Sequence, residues 1–322
     1  METDKEYVKN YYQGIYLTET ILGNPNGDFV DNSPRNFDGE IFTTDKCIKY
    51  NVRKYIHESV EDLENKENIV FFFPRLVKGA KKEENKFKTR DDVYEFFKKE
   101  DNPFESLIKC SPDVRMFGGT FSFTKDSKQI YGPIQLTYGV DINEAQIKRI
   151  QIGAPFATTT GKQKTNGSES IVDDAIISYD ITINPNVYKN LLLKSDLELF
   201  KKSLWFGTNL RKSTSKKTDS KLLILIKFIN KDNTILNIGE LKELIEVSNK
   251  KQHKVNHEIL KLNCDKLFKK LEKYCDFIES IDLYYDSEDL ILEYGGETLD
   301  EKTDFKLRDK ISSKDPIDLI KN

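Results

Sequence analysis

The segment Gly23–Arg53 constrains this chain more than any other. It reads G-N-P-N-G-D, then P-R, then T-T-D-K-C-I-K-Y-N-V-R. Asn-Pro and Asn-Gly are strong turn dipeptides, so a strand ending here must reverse in a polar loop. The preceding residues, Gly14–Leu22, alternate as a strand with Ile15, Leu17 and Ile21 on one face. Downstream, Thr44 and Asp45 supply N-cap and first-turn chemistry for a helix expected to run to about Glu64. Its apolar positions Ile48, Val52, Tyr55 and Ile56 share one face, and Lys46, Lys49 and Arg53 share another. One face packs while the other presents cations. A polar loop, a helix N-terminus and a basic helix face directed at one ligand suit phosphate or a nucleic-acid backbone. By itself the loop reads first as a plain turn, and the basic face downstream is what makes it a composite site.

Total charge does not decide the matter. Across 322 residues, 51 basic side chains face 54 acidic ones, for a net charge of −3. The distribution is more telling. Lys201–Lys221 holds Lys201, Lys202, Arg211, Lys212, Lys216, Lys217 and Lys221 against one acid, Asp219. Tyr285–Asp304 is the reverse, with eight acids and one lysine. Separated runs of opposite sign allow polyanion binding on one face, or contact between copies of the chain. Solvated loops are the plainer reading of each run.

At 37% hydrophobic residues the chain has material for a core, which argues against global disorder. Cys47, Cys110, Cys264 and Cys275 are widely spaced without a C-x-x-C pair, as expected of reduced thiols. The N-terminus METDKEYVKN has no apolar signal core, and no apolar run reaches membrane-spanning length. The expectation is a cytoplasmic protein.

Further along, Lys66–Ser111 is charged and irregular, with a short helix expected at Asp91–Lys99 and Phe71–Phe73 as local core. Strands are expected at Gln129–Gly139, Ala175–Asn184, Lys221–Phe228 and Ile281–Tyr285. Helices are expected at Val187–Trp205, Ile238–Asn249 and Cys264–Glu279. Residues 140–174 read as a long polar loop, of the kind that is functional or disordered. The order strand, helix, strand, strand, helix, strand is βαββαβ, a ferredoxin-like arrangement that RNA-recognition domains share with many unrelated proteins.

Two other segments carry candidate chemistry. Asp113–Gly119 sets Arg115 ahead of Gly118 and Gly119. Arg115 suits a phosphate or a structural carboxylate equally, and the glycines permit close backbone approach. Arg211, Lys212, Lys216 and Lys217 interleave with hydroxyls as phosphate contacts do, and Lys162 and Lys164 flank a Gly- and Thr-rich stretch.

Taken in order, N-P-N-G-D, Pro34–Arg35, the T-D-K-C-I-K-Y-N-V-R helix start, D-V-R-M-F-G-G and G-P-I-Q resemble one family over residues 11–230. This is the backbone subunit of type I CRISPR–Cascade complexes, the Cas-seven family, closest to the I-B and I-C subtypes. The resemblance implies one elaborated α+β domain with a ferredoxin-like, RNA-recognition-like core, or palm, at residues 11–64, 129–139 and 175–230. It implies a helical, finger-like insertion at 65–128, a thumb-like β-hairpin insertion at 140–174 and a C-terminal extension at 231–322. The family polymerises along a CRISPR RNA and is not catalytic, and base pairing reads the target DNA. By motif, Asn24, Asn26, Gly27, Arg35, Lys49 and Arg53 would be palm contacts, with Arg115, Gly118 and Gly119 nearby and the thumb within 151–172. In that thumb GKQKTNGSESIV stands where relatives carry a G-R-K-H-x-V-P-like run. Implied partners are the guide RNA, target DNA by way of the guide, head-to-tail copies and the large, small and guide 5′-end cap subunits. A recruited helicase-nuclease is also implied, and no membrane, cofactor or metal.

Two alternatives remain open from sequence. A metal-dependent RNase would use Asp28, Asp31, Asp38 or Asp45, although nothing in their spacing fixes two metal ions. A protein-interaction module would leave the basic runs as solvated surface. A zinc site at His253, His257, Cys264 and Cys275 lacks a standard ligand spacing.

Overall fold

A computed structural model describes residues 6–76, 87–88, 90–122, 127–153, 166–230, 235–250 and 258–321. Its centre is the 12-residue strand β1 (Tyr12–Gly23), buried along most of its length. Both of its edges are occupied by antiparallel strands. Tyr12 to Gly23 pair with Ile183 to Val172 on one side, and Tyr12 to Thr20 pair with Lys227 to Thr218 on the other. Both faces of the strand are covered, so its polar face is buried too: Leu17, Thr18, Glu19 and Thr20 are all buried in succession.

Helix α1 (Asp45–Ser59) follows, then the short strands β2 (Ile134–Leu136) and β3 (Gly139–Asp141), then β4 (Asn166–Ile183). Helix α2 (Lys194–Leu210) leads to β5 (Thr218–Phe228). Both β2 and β3 pair antiparallel with β4. Across the sheet the order is therefore β5, β1, β4, then β2 with β3. The two helices cover one face. Ile48, Val52 and Ile56 from α1 meet Phe200, Leu204 and Trp205 from α2 over Tyr16, Ile177, Tyr179 and Ile181. The helices approach closely, since a Cβ on Gly207 would lie 2.5 Å from the Asn51 carbonyl oxygen.

The opposite face is not open. Ile15, Leu17, Ile176, Leu222, Ile224 and Ile226 lie under Leu241, Ile245, Leu262, Phe268, Leu292 and Leu299 of the C-terminal third. That third also lengthens the sheet. β6 (Ile278–Tyr284) pairs antiparallel with β5, and β7 (Ile311–Lys314) pairs parallel with β6. A second small sheet holds Glu246–Val247, Leu260–Asn263, Leu290–Tyr294 and Glu297–Thr298, with the helix Asp265–Lys273 beside it. Lys221 Nζ bridges Glu19 at 3.2 Å and Asp289 at 3.4 Å, joining the two regions.

Several expectations are corrected. Ile238–Asn249 is not a helix but a 3-10 turn, Lys242–Leu244, followed by the strand Glu246–Val247. Two backbone N–H groups there, of Leu241 and Lys242, donate to Asp180 Oδ1 instead of continuing a helical ladder. The helix expected at Cys264–Glu279 stops at Lys273, because a 3-10 turn and β6 take over before Glu279. α2 starts at Lys194 rather than Val187, where Asp196 accepts the Leu193 N–H at 3.0 Å and so caps the first turn. α1 ends at Ser59, short of Glu64. The strand expected over Gln129–Gly139 is broken at Gly132–Pro133 into Lys128–Tyr131, β2 and β3. Within 140–174, Ile147–Gly153 pairs with Asn166–Val172 as a two-stranded ribbon rather than a loop.

The segment 65–128 gathers a small core of its own. Phe71, Phe97, Leu107, Val114 and Phe121 pack together, with Phe72 beside them and Phe73 against Tyr50 and His57. The helix expected at Asp91–Lys99 is Arg90–Tyr94 with a 3-10 turn to Phe97. Among the described residues no helix is long and apolar enough to cross a membrane.

Candidate nucleic-acid interface

The loop leaving β1 is folded by its own side chains. Asn26 Oδ1 accepts from the Thr44 N–H at 3.0 Å and the Thr44 hydroxyl at 3.1 Å, which fixes the loop to the start of α1. Asn24 is 3% exposed and donates to the Asn32 carbonyl at 2.6 Å. A Cβ on Gly27 would come within 2.6 Å of Asn32 Oδ1, so a larger residue there would have to displace that side chain. Arg35 pairs with Asp28 at 3.1 Å.

The turn after α2 closes on this loop. The Asn24 N–H donates to the Ser215 carbonyl at 2.7 Å, and Lys216 Nζ donates to the Asn24 carbonyl at 3.0 Å. Arg211 turns inward, donating to Cys47 Sγ at 3.1 Å and Asn51 Oδ1 at 3.3 Å, with its guanidinium over Tyr50. Among the described residues, no carboxylate within 4 Å pairs with Arg211 or Lys216. Burial, and then the charge of Arg211, holds the Lys216 ammonium below the usual lysine range. Glu169 acts on Lys216 only at longer range, so two half-buried cations without a carboxylate in contact form a site short of negative charge, which an anion would relieve. Lys46, Lys212 and Lys217 are exposed around it, Lys212 paired with Asp219.

The other candidates have internal partners. Lys49 pairs with Asp45 at 3.0 Å and sits over the Phe117 ring. Arg53 donates to Asp113 at 3.1 Å, and the same buried carboxylate accepts the Phe71 and Phe72 N–H groups. Arg115 is 8% exposed and forms a bidentate pair with Asp196 at 2.8 and 2.7 Å, while also donating to the Ile108 and Lys109 carbonyls. Of the two roles open to Arg115 from sequence, this is the structural bridge. Gly118 and Gly119 do allow close approach, but to the chain itself. A Cβ on Gly118 would meet the Ile130 carbonyl at 2.1 Å, and one on Gly119 would meet the Phe72 ring at 2.3 Å. Lys162 and Lys164 lie outside the described residues.

Three of the four candidate carboxylates are committed locally. Asp28 holds Arg35, Asp45 holds Lys49, and Asp31 accepts the Ser33 N–H and hydroxyl, which lowers its carboxyl below the usual range. No group of three or more His, Cys, Asp or Glu among the described residues could hold a metal ion. Sequence reading also passed over Phe29 and Val30, at the tip of the loop. Their signal was an apolar pair inside an otherwise polar turn.

Fold and site together define a class: an α+β protein whose back sheet face is covered and whose cationic loops gather at the end of β1. The chain belongs to the CRISPR-associated protein Cas7 family, whose model matches residues 10–265. A solved "CRISPR RNA-guided surveillance complex" holds a chain 10% identical, with 97% of each chain covered and a TM-score of 0.53. A second, titled "CRISPR RNA-guided surveillance complex, pre-nicking", holds one 11% identical, with 97% of this chain and 98% of that covered and a TM-score of 0.49. At the first of these identities the likeness concerns fold alone. No curated protein matches the chain.

Proposed function

We propose that the protein is a non-catalytic, cytoplasmic backbone subunit of a type I CRISPR–Cascade complex of the I-B or I-C kind, binding guide RNA through phosphates. The observation that carries the reading is the convergence of Lys216 on the Asn24 carbonyl and of Arg211 on the first turns of α1, in a member of this family. The strand order β5-β1-β4-β2/β3, with both helices on one face, supports a ferredoxin-like palm. The ribbon Ile147–Gly153 with Asn166–Val172 supports a thumb, and the cluster around Phe71 supports a finger-like insertion. Lys46, Lys49, Lys212 and Lys217 would line the strand beside the central pair. The basic turn and the acidic C-terminal segment suit heterologous contact between copies, an arrangement that need not close into a ring. Target DNA would reach the complex by pairing with the guide, and the large, small and cap subunits and a helicase-nuclease would be the other partners.

The test is to purify the protein with and without a co-expressed CRISPR array, then measure bound RNA and particle size. Long, discrete particles holding one defined RNA are expected. An RNA-free monomer from cells carrying the array would overturn the reading, and cleavage of the RNA under magnesium would favour the RNase alternative.

A further inference from the structure

Phe29 is 98% exposed and Val30 94% exposed, the most exposed large apolar residues described. Single exposed apolar side chains are ordinary. This pair differs because its backbone is braced from several sides. Asp28 Oδ1 accepts the Val30 N–H at 2.8 Å, the Asp28 N–H reaches the Ser33 carbonyl at 2.8 Å, and the Asn32 N–H returns to the Asp28 carbonyl at 3.1 Å. Asn32 supplies the left-handed residue, φ 62°, that closes the turn. Arg35, held by Asp28, places its guanidinium carbon 5.3 Å from the Phe29 ring centroid.

A ring is thus held out to solvent beside a cation, on the loop whose base receives Lys216. Cations that track a backbone, with an aromatic ring exposed among them, stack the bases of single strands. An apolar pocket on another protein is the competing occupant. Lys216 at the base of the loop favours a polyanion, and docking Phe29 into an apolar pocket would also desolvate the Arg35–Asp28 pair.

We propose that Phe29 is a base-stacking residue, taking one unpaired base of the bound strand on its ring while Arg35 flanks the adjoining phosphate. The proposal rests on the guide-RNA reading. It places one contact that tolerates every base, since each has a π face.

The test uses a fluorescent single-stranded RNA of about eight nucleotides, within the usual site size for one module. Wild type, Phe29→Ala, Phe29→Leu and Phe29→Trp are titrated at several salt concentrations. Phe29→Ala should weaken binding on the order of tenfold, with the salt slope unchanged because no phosphate contact is lost. Phe29→Leu should stay weak. Phe29→Trp should restore affinity, and its emission should quench on RNA against the constant signal of the one native tryptophan, Trp205, which is buried. Unchanged short-RNA binding by Phe29→Ala, with smaller assemblies on a long guide, would overturn stacking in favour of a protein contact. Failure of wild type to bind the oligonucleotide would sink the guide-RNA reading itself, and stacking with it.

Discussion

Two cationic regions flank helix α1, and they use the same chemistry to opposite ends. Toward the insertion, Arg53 and Arg115 are each matched to a buried carboxylate, Asp113 and Asp196, at hydrogen-bonding distance. Toward the end of β1, Arg211 and Lys216 rest on a thiol, an amide oxygen and a carbonyl. The first pairs are neutral units that fasten the insertion and α2 to the core. The second leaves net positive charge partly out of water. Residue type and local sequence do not separate the two regions, whereas the nature of the partner does.

The largest expected effect lies in the matched region. Asp113→Ala would strand two backbone N–H groups and one guanidinium, and Arg115→Ala would leave Asp196 without its bidentate partner. Breaking one side of a buried pair costs about 3–5 kcal/mol. Urea unfolding should show that loss, while the folded fraction keeps its RNA affinity. An Arg115→Ala protein of normal stability and poor RNA binding would invert the comparison.

A smaller stability effect and a larger binding effect are expected at the unmatched end. Arg211→Gln and Lys216→Gln strand no carboxylate, so each should change stability by less than about 1 kcal/mol. Each should lower RNA affinity across all sequences and reduce the salt slope by about one per lost phosphate contact. Titration of short RNA between low and moderate salt reads both quantities. A normal slope in the double variant would return Arg211 and Lys216 to the status of solvated surface.

Parts of this contrast were visible in the linear chain. α1 shows its two faces because one packs against α2 and the sheet while the other does not. The basic run Arg211–Lys217 was visible as composition, but its contact with Asn24, 192 residues away, was not. Nor was the Arg115–Asp196 pair, 81 residues apart. The ribbon Ile147–Gly153 escaped because it is exposed along its whole length, so no alternation marks it. In the C-terminal third, short strands and 3-10 turns satisfy their N–H groups through Asp180 and neighbouring strands, contacts that no local pattern encodes. That third also explains why no aromatic platform of the RNA-recognition kind could serve here. The sheet face that such domains offer to RNA is filled by Leu241, Leu262, Phe268 and their neighbours.

The finest test of the contrast is pH. Lys216 has its pKa lowered in the fold, by burial first and then by the nearby charge of Arg211. In the unfolded chain it titrates near the ordinary value of about 10.4. Between the lowered value and that one, the unfolded state binds more protons than the folded state, so stability rises with pH across this window. Affinity for RNA should move the other way, because only the ammonium form pairs with phosphate. Lys216 therefore predicts opposite slopes for folding and for binding in one alkaline interval, and Lys216→Gln should flatten both. Urea unfolding and titration with alkali-stable 2′-O-methyl RNA, from neutral pH upward, measure the two slopes. Parallel slopes, or slopes that survive in Lys216→Gln, would mean that Lys216 carries no unmatched charge, and the two ends of α1 would then differ in position alone.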